Sequence, residues 1–280
     1  MKSFIILDSR VFESSAPAIP ASNHSYRYGD GLFETMKMSN GRIPLGDYHF
    51  SRLLAGMKAL DYKLPVFFTP DNLKKQIKQL AEKNNCLRLA RIRLAVSRGN
   101  GGLYDCDNNV TCTIECLPAD ESINRLNETG ILADLFPDGI KTCDKFSNLK
   151  TASCLLYVMA AQFAKNNGLN DAFVLNNYGR LCETTIANIF LVKDERIYTP
   201  PLSEGCVKGV MRSYLLEKLP ESGFTVQEKD LSVDELIAAD EVILTNAVFG
   251  MRWIRQFRHR QYKNDFAKEI YRLLVTPLCL

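Results

Sequence analysis

The sequence predicts an α+β protein built as two domains. Three features carry that prediction: short runs with strand-like alternation between turn residues, segments with helical spacing set among them, and one polar stretch, Ala119 to Thr129, where neither pattern holds. At 280 residues the chain is long enough for two ordinary domains with a core in each. The division implied is a smaller α/β domain over 1–118, a linker over 119–129 and a larger domain over 130–280.

Ser3 to Leu7 reads as the first strand. Phe33 to Met38 alternates apolar and polar residues and ends at Asn40-Gly41, a pair suited to the positive φ angles of a tight hairpin turn. Ile43 to Leu45 is then expected to return as its partner strand. From Gly46 to Leu60, Leu53, Leu54, Met57 and Leu60 share a helical face, with Asp47 the expected N-cap. Thr69-Pro70-Asp71 opens a second helix, Thr69 capping it and Pro70 sitting where a missing N–H costs nothing. Leu73, Ile77 and Leu80 form its buried stripe. Leu87 to Ser97 and Val110 to Cys116 read as strands. Beyond the polar stretch, Ile131 to Leu135 is a strand and Thr151 to Asn166 an Ala-, Leu- and Met-rich helix. Ala172 to Leu175, Ile189 to Val192 and Arg196 to Tyr198 follow as strands. Val210 to Leu219 and Leu231 to Ala238 are helical, Val242 to Thr245 is a strand, and Phe266 to Leu274 closes the chain as a helix.

Composition narrows the partners. Hydrophobic residues make up 46% and charged residues 24%, and 35 basic against 32 acidic side chains leave a net charge of +3. That balance offers no electrostatic footprint for nucleic acid or an anionic membrane, so the expected partner is a small molecule or a second copy of the chain. The 9 cysteines are irregularly spaced without a C-x-x-C pair, and His24, His49 and His259 stand far apart, so neither a disulfide framework nor a metal site is expected. The apolar patch Phe4 to Leu7 is broken at once by Asp8 and Arg10, too early for a signal peptide. No apolar run approaches the roughly 20 residues that span a bilayer. A soluble, cytoplasmic protein is expected.

Taken singly, the chemistry-bearing residues are not distinctive. Arg98-Gly99-Asn100-Gly101-Gly102 lacks both G-x-G-x-x-G and a Walker Lys-Ser/Thr, and reads as a flexible surface or interdomain loop. Lys150, just before a helix, reads alone as a solvated charge, Glu183 as a turn carboxylate, and Asn188 as a cap or turn terminator.

Taken in order they form a set. RYGDGLFETM, the H-x-x-R of His49 and Arg52, SNLKT, GRLCETTIANIFLV, YTPPL, GCVKGVMR and EVILTNAVFGM together resemble the class IV aminotransferase family over nearly the whole chain. The resemblance implies the fold-type IV architecture and pyridoxal 5'-phosphate as cofactor. It makes Lys150 the catalytic lysine, which carries the cofactor as a Schiff base and moves the substrate proton. It matches Glu183 to the acid beside the pyridine nitrogen, where a carboxylate holds the ring proton. Arg52 matches the phosphate arginine, whose fork suits a phosphate. Gly209 and the amides of Val210 and Met211, at a helix N-terminus, serve the same phosphate. Val207 takes the apolar place under the ring, and Asn246 and Ala247 match a second turn over the phosphate.

Which reaction follows is less legible, because the cofactor residues serve several. Branched-chain members usually carry a hydroxyl residue at the place of Met211, whereas 4-amino-4-deoxychorismate lyases often carry Met. GDGLFET, SRGNGG and the TNA turn also lean toward the lyase, which eliminates pyruvate to give p-aminobenzoate. A branched-chain-type or D-amino-acid aminotransferase is the alternative, and a cofactor-binding protein without turnover a remote one. Residues 100–105 lack the basic pair of the D-specific enzymes. Phe33, Thr35, Arg98 and Arg252 are the substrate candidates, with Arg27 and Arg93 also able to meet a carboxylate. Trp253 could line the pocket or fill the core. The family further implies a homodimer with its site between domains, and a glycine-rich loop, 99–105, close to the neighbouring site.

Overall fold

The computed structural model describes residues 3–16 and 18–279. They fall into two units, one drawn from Met1–Glu121 with Lys150–Cys154, the other from Ser122–Leu149 with Leu155–Leu280.

In the first unit, β1 (Phe4–Leu7) and β2 (Arg10–Glu13) form a hairpin, followed by α1 (His24–Tyr28), β3 (Gly31–Ser39), α2 (Gly46–Ala59), α3 (Pro70–Lys83), β4 (Leu89–Ser97) and β5 (Thr111–Pro118). The sheet runs β2-β1-β5-β4-β3, each neighbouring pair antiparallel. The period-two alternation of β3 buries Leu32, Glu34 and Met36 and leaves Phe33 and Thr35 half-buried on the other face. Helices α2 and α3 supply Phe50, Leu53, Met57, Leu73, Ile77 and Leu80 to the core. As expected, the Thr69 side chain caps α3, accepting from Asn72 N at 3.3 Å, with Pro70 in the first turn.

Two local expectations in this unit fail for one reason. Asn40 and Gly41 do adopt positive φ (49° and 76°), and Ser39 and Arg42 exchange backbone hydrogen bonds across the turn. The return strand at Ile43 to Leu45 does not form. Pro44 has no N–H to give a ladder, and Leu45 turns left-handed (φ 57°) into α2. Leu45 is therefore the cap, without a side-chain bond, and Asp47 lies inside the first turn, 3.0 Å from Lys74 Nζ.

A 3₁₀ turn at Glu121–Asn124 leads into the second unit, which contains β6 (Ile131–Lys141), α4 (Leu155–Asn166), β7 (Asp171–Asn176), β8 (Leu181–Thr184), β9 (Asn188–Lys193), β10 (Arg196–Thr199), α5 (Val210–Glu221) and β11 (Thr225–Glu228). It continues with α6 (Val233–Ala238), β12 (Glu241–Asn246), β13 (Gly250–Phe257), β14 (Arg260–Gln261), α7 (Asp265–Ile270), a π-helical turn and α8 (Thr276–Cys279). Nine strands form one mixed sheet in the order β11-β10-β9-β12-β13-β6-β7-β8, with β14 beside β13. The pairs β10–β11, β6–β13 and β6–β7 are parallel, so the sheet is not made of antiparallel hairpins alone. Phe173, Ile189, Leu191, Leu244, Ile254 and Phe257 lie in its main core. Ala160 and Ala164 of α4 pack with Phe136 and Val174 in a smaller cluster.

The α+β expectation holds in both units, but the helix expected over Thr151 to Asn166 begins only at Leu155. Residues 150–154 are instead an extended segment on the free edge of β3, where Thr151 bridges Leu32.

Candidate active site

Lys150 owes its place to that edge. Phe33 N donates to Lys150 O at 3.0 Å and Ala152 N to Gly31 O at 2.8 Å, so two ladder bonds flank Thr151 and the first of them holds the lysine carbonyl. Its Nζ lies 4.4 Å from the Phe33 ring centroid, and the guanidinium carbon of Arg93 lies 4.0 Å from the same centroid. Thr35 is the register partner of Arg93 and shares the face of Phe33. Among the described residues no carboxylate comes within ion-pair distance of the half-buried Arg93. An amine and a guanidinium thus share one aromatic ring, with a threonine two residues along on the same strand face.

On the opposite face of β3, Glu34 is 1% exposed. Arg52 donates to it through Nε (2.8 Å, Oε1) and Nη2 (2.5 Å, Oε2), and His49 through Nδ1 (2.6 Å, Oε2). Burial alone would raise the Glu34 pKa, but the Arg52 charge and the hydrogen bonds of both partners hold it below its usual value. Burial pushes His49 the other way, below 6.5 and toward the neutral form. Its Nε2 has no partner among the described residues.

In the second unit, Glu183 is the third residue of β8 and a buried carboxylate. Its Oε1 accepts from Tyr157 Oη at 2.5 Å and lies 3.3 Å from Lys141 Nζ, and its Oε2 accepts from Val207 N at 3.0 Å. Lys141 donates in turn to Tyr157. Asn188 Nδ2 donates to Val207 O at 2.9 Å, fixing the other end of that residue. Gly209 follows at the N-cap of α5 with an ordinary extended φ of −64°. Its glycine is required by space, since a Cβ there would lie 1.8 Å from Asn188 Oδ1. Among the described residues no side chain caps this helix, so the amides of its first turn are open to a ligand or solvent. Met211 is 1% exposed and offers only its backbone to such a ligand. At the end of β12, Asn246 Oδ1 accepts from Val248 N (2.9 Å) and Phe249 N (3.1 Å), an Asx turn that shapes the corner carrying Ala247.

The other candidates have structural partners. Arg98 donates to Asp30 Oδ2 (2.7 Å) and to Leu60 O (2.8 Å) and stacks on Tyr62, so most of its donors are engaged within the first unit. Arg27 binds the carbonyls of Ala21 and Gly101. Arg252 lies over the Phe249 ring at 4.4 Å, its pKa lowered by burial against the opposing charge of Asp171. Trp253 is 8% exposed and donates from Nε1 to Asn127 O at 2.6 Å, a core role. The glycine-rich loop is tied down rather than loose: His24 N donates to Gly99 O, Gly101 N to Ser22 O, and the His24 ring meets Gly102 O at 3.1 Å. Among the described residues no cluster of side chains has the makings of a metal site.

Glu34, Tyr157 and Lys141 were not singled out from the sequence. Glu34 stands within the same FET string as Phe33 and Thr35, but only the strand's alternation separates its face from theirs. Nothing in the spacing of residues 141, 157 and 183 announces that they meet.

The model of the amino-transferase class IV family matches residues 31–257. The chain belongs to that family. It is therefore an enzyme of a pyridoxal-phosphate-dependent family that acts on small amino-acid substrates. The chain is similar to an aminodeoxychorismate lyase of Vibrio harveyi (28% identical over 251 residues, 89% of this chain and 90% of that protein). It is as similar to a putative branched-chain-amino-acid aminotransferase of Methanocaldococcus jannaschii (29% over 272 residues, 96% and 93%). Its fold matches the branched-chain aminotransferase from Thermoproteus uzoniensis with a TM-score of 0.87 at 22% identity, covering 100% of this chain and 95% of that one. The class IV cofactor fits the residues present. An uncapped helix entrance, narrowed so that only glycine is admitted, suits a phosphate, and a desolvated carboxylate suits a pyridinium.

Proposed function

We propose that the chain is a 4-amino-4-deoxychorismate lyase, eliminating pyruvate from its substrate to leave p-aminobenzoate. The observation that carries this reading is the group around Phe33: the Lys150 amine, the Arg93 guanidinium and, across from Arg93, the Thr35 hydroxyl. In this reading Lys150 holds the cofactor and takes the substrate proton, Arg93 meets a substrate carboxylate, and Thr35 supplies a proton as pyruvate leaves. Arg52, Gly209, the amides of Val210 and Met211, and the Asn246–Ala247 corner are assigned to the cofactor phosphate. Val207 is assigned to the ring and Glu183 to its nitrogen. Bound pyridoxal phosphate supplies the electron sink that makes the proton removable.

Arg93 also favours a second reading. A half-buried guanidinium with no carboxylate within ion-pair distance among the described residues suits the side-chain carboxylate of a dicarboxylic amino donor, and so an L-amino-acid transaminase of the branched-chain type. The engagement of Arg98 with Asp30 gives the D-specific reading less support.

The test is to supply aminodeoxychorismate to the loaded protein and follow p-aminobenzoate and pyruvate, with a panel of L- and D-amino acids and keto acids beside it. Equal release of both products without a keto acid supports the lyase. Keto-acid-dependent turnover of an amino acid with no p-aminobenzoate rejects it. Thr35→Val should cut lyase turnover by about 100-fold, the lower end of what a general acid contributes.

A homodimer is part of the proposal. Leu155 (72% exposed), Val158 (58%) and Met159 (49%) lie at i, i+3 and i+4 on α4, an apolar face suited to a second subunit. Light scattering at micromolar concentration checks it. A cytoplasmic setting is proposed with it, supported by 9 cysteines that are all free; among the described residues no helix is long and apolar enough to cross a membrane.

A further inference from the structure

Glu34 sits on β3 beneath α2, 1% exposed, and a carboxylate at that depth is sustained only by partners that use its lone pairs. His49 and Arg52 are three residues apart on α2 and so share a face, and both turn onto this one group. Arg52 grips it as a fork, Nε on one oxygen at 2.8 Å and Nη2 on the other at 2.5 Å, while His49 Nδ1 reaches the second oxygen at 2.6 Å. A guanidinium is planar, so a fork on its Nε–Nη2 edge sets the direction of its Nη1–Nη2 edge. His49 lies in a site that disfavours its cationic form, so the full cation on the Glu34 carboxylate in this triad is Arg52. An arginine placed only to attract a dianion would be weakened by such a partner. What the carboxylate supplies is orientation.

We propose that Glu34 is a positioning residue for the cofactor: with His49 it fixes the plane and direction of the Arg52 guanidinium, so that phosphate is met by a preset donor edge rather than by surplus charge. This rests on the reading of Arg52 as a phosphate ligand.

The experiment compares pyridoxal phosphate with pyridoxal, which has the same ring and aldehyde and no phosphate. Each is titrated into the full-length protein and followed by the visible absorbance band, and the ratio of the two affinities measures recognition of the phosphate. Glu34→Gln should lower that ratio about tenfold, the scale of one charge-assisted hydrogen bond, with the affinity for pyridoxal unchanged. Glu34→Asp, which keeps the charge and withdraws it by one methylene, should lower the ratio as well. Arg52→Gln should lower it at least as far, and adding Glu34→Gln to that variant should lower it no further. Unchanged pyridoxal affinity shows that a variant is folded at the site, and if Glu34→Gln fails to fold, Glu34→Asp carries the comparison.

A ratio left intact by Glu34→Asp and Glu34→Gln but lowered by Arg52→Gln would reduce Glu34 to a structural group and overturn the proposal. A ratio raised by Glu34→Gln would overturn it too, since the carboxylate would then compete with the phosphate. A ratio indifferent to Arg52→Gln would remove the phosphate reading of Arg52 itself, and the proposal with it.

Discussion

Replacing Gly209 with alanine tests the entrance of α5 with a single methyl group. The backbone there, φ −64° and ψ 136°, accepts any residue, so no strain arises from the torsions. The whole effect comes from the 1.8 Å that would separate the new Cβ from Asn188 Oδ1. Asn188 cannot simply turn away, because it is 5% exposed and its Nδ2 holds Val207 O at 2.9 Å. Forcing a methyl into such packing costs about 1–3 kcal/mol, and losing the Asn188–Val207 bond adds about 1 kcal/mol. Gly209→Ala should therefore destabilise the protein by about 2–4 kcal/mol. Displacement of Val207 would also loosen its amide from Glu183. The assay is denaturant unfolding together with cofactor titration. Asn188→Ala is the control: with that side chain gone, adding Gly209→Ala should cost less than about 1 kcal/mol more. An equal penalty for Gly209→Ala in both backgrounds would refute the steric account.

Other consequences can be measured in the same way. His49 has its pKa lowered in the fold from 6.5, so the unfolded chain binds its proton first as pH falls. The stability this group contributes is complete above 6.5 and is lost as pH drops toward the folded value; wild type should lose more stability than His49→Gln between about pH 7.5 and about pH 5.5, and an equal loss would count against a neutral His49. Phe33→Leu removes the ring shared by Lys150 and Arg93, and should lower kcat/KM by about 5–30-fold with little change in melting, in line with one or two cation–π contacts. Asn246→Ala removes the acceptor of two turn amides and should cost about 1–2 kcal/mol in stability, while Asn246→Asp, which keeps the oxygen, should be milder.

The parts of this fold most legible in the sequence were those with a local signal. Thr69-Pro70 marked the start of α3 because cap and first-turn proline act on adjacent residues. Residues 151–154 read as the start of a helix because their Ala- and Ser-containing run is locally neutral, and only β3, more than a hundred residues earlier, decides their conformation. Strands β2, β8, β11, β13 and β14 are not among those expected from the sequence. β8, with four buried residues, has no alternation to show, and β13 follows β12 without a turn signal strong enough to separate them. The site divides the same way. Lys150, Glu183 and Arg52 were visible as members of a family pattern, whereas the partners that hold two of them, Glu34 on Arg52 and Lys141 with Tyr157 on Glu183, depend on strand faces and long-range pairing. Arg98 is a candidate only as one of several arginines able to meet a carboxylate; its bonds to Asp30 and Leu60 arise from three separated stretches of chain that no spacing rule connects.

The central claim is that Lys150 carries pyridoxal phosphate. It is tested most directly by adding the cofactor to wild type and to Lys150→Ala, reducing each with borohydride, and mapping the modified peptide by mass spectrometry. A visible band in wild type, with the reduced cofactor attached at Lys150, and no attachment in the variant, is the predicted result. A cofactor fixed at another lysine, or equal attachment in Lys150→Ala, would contradict the account.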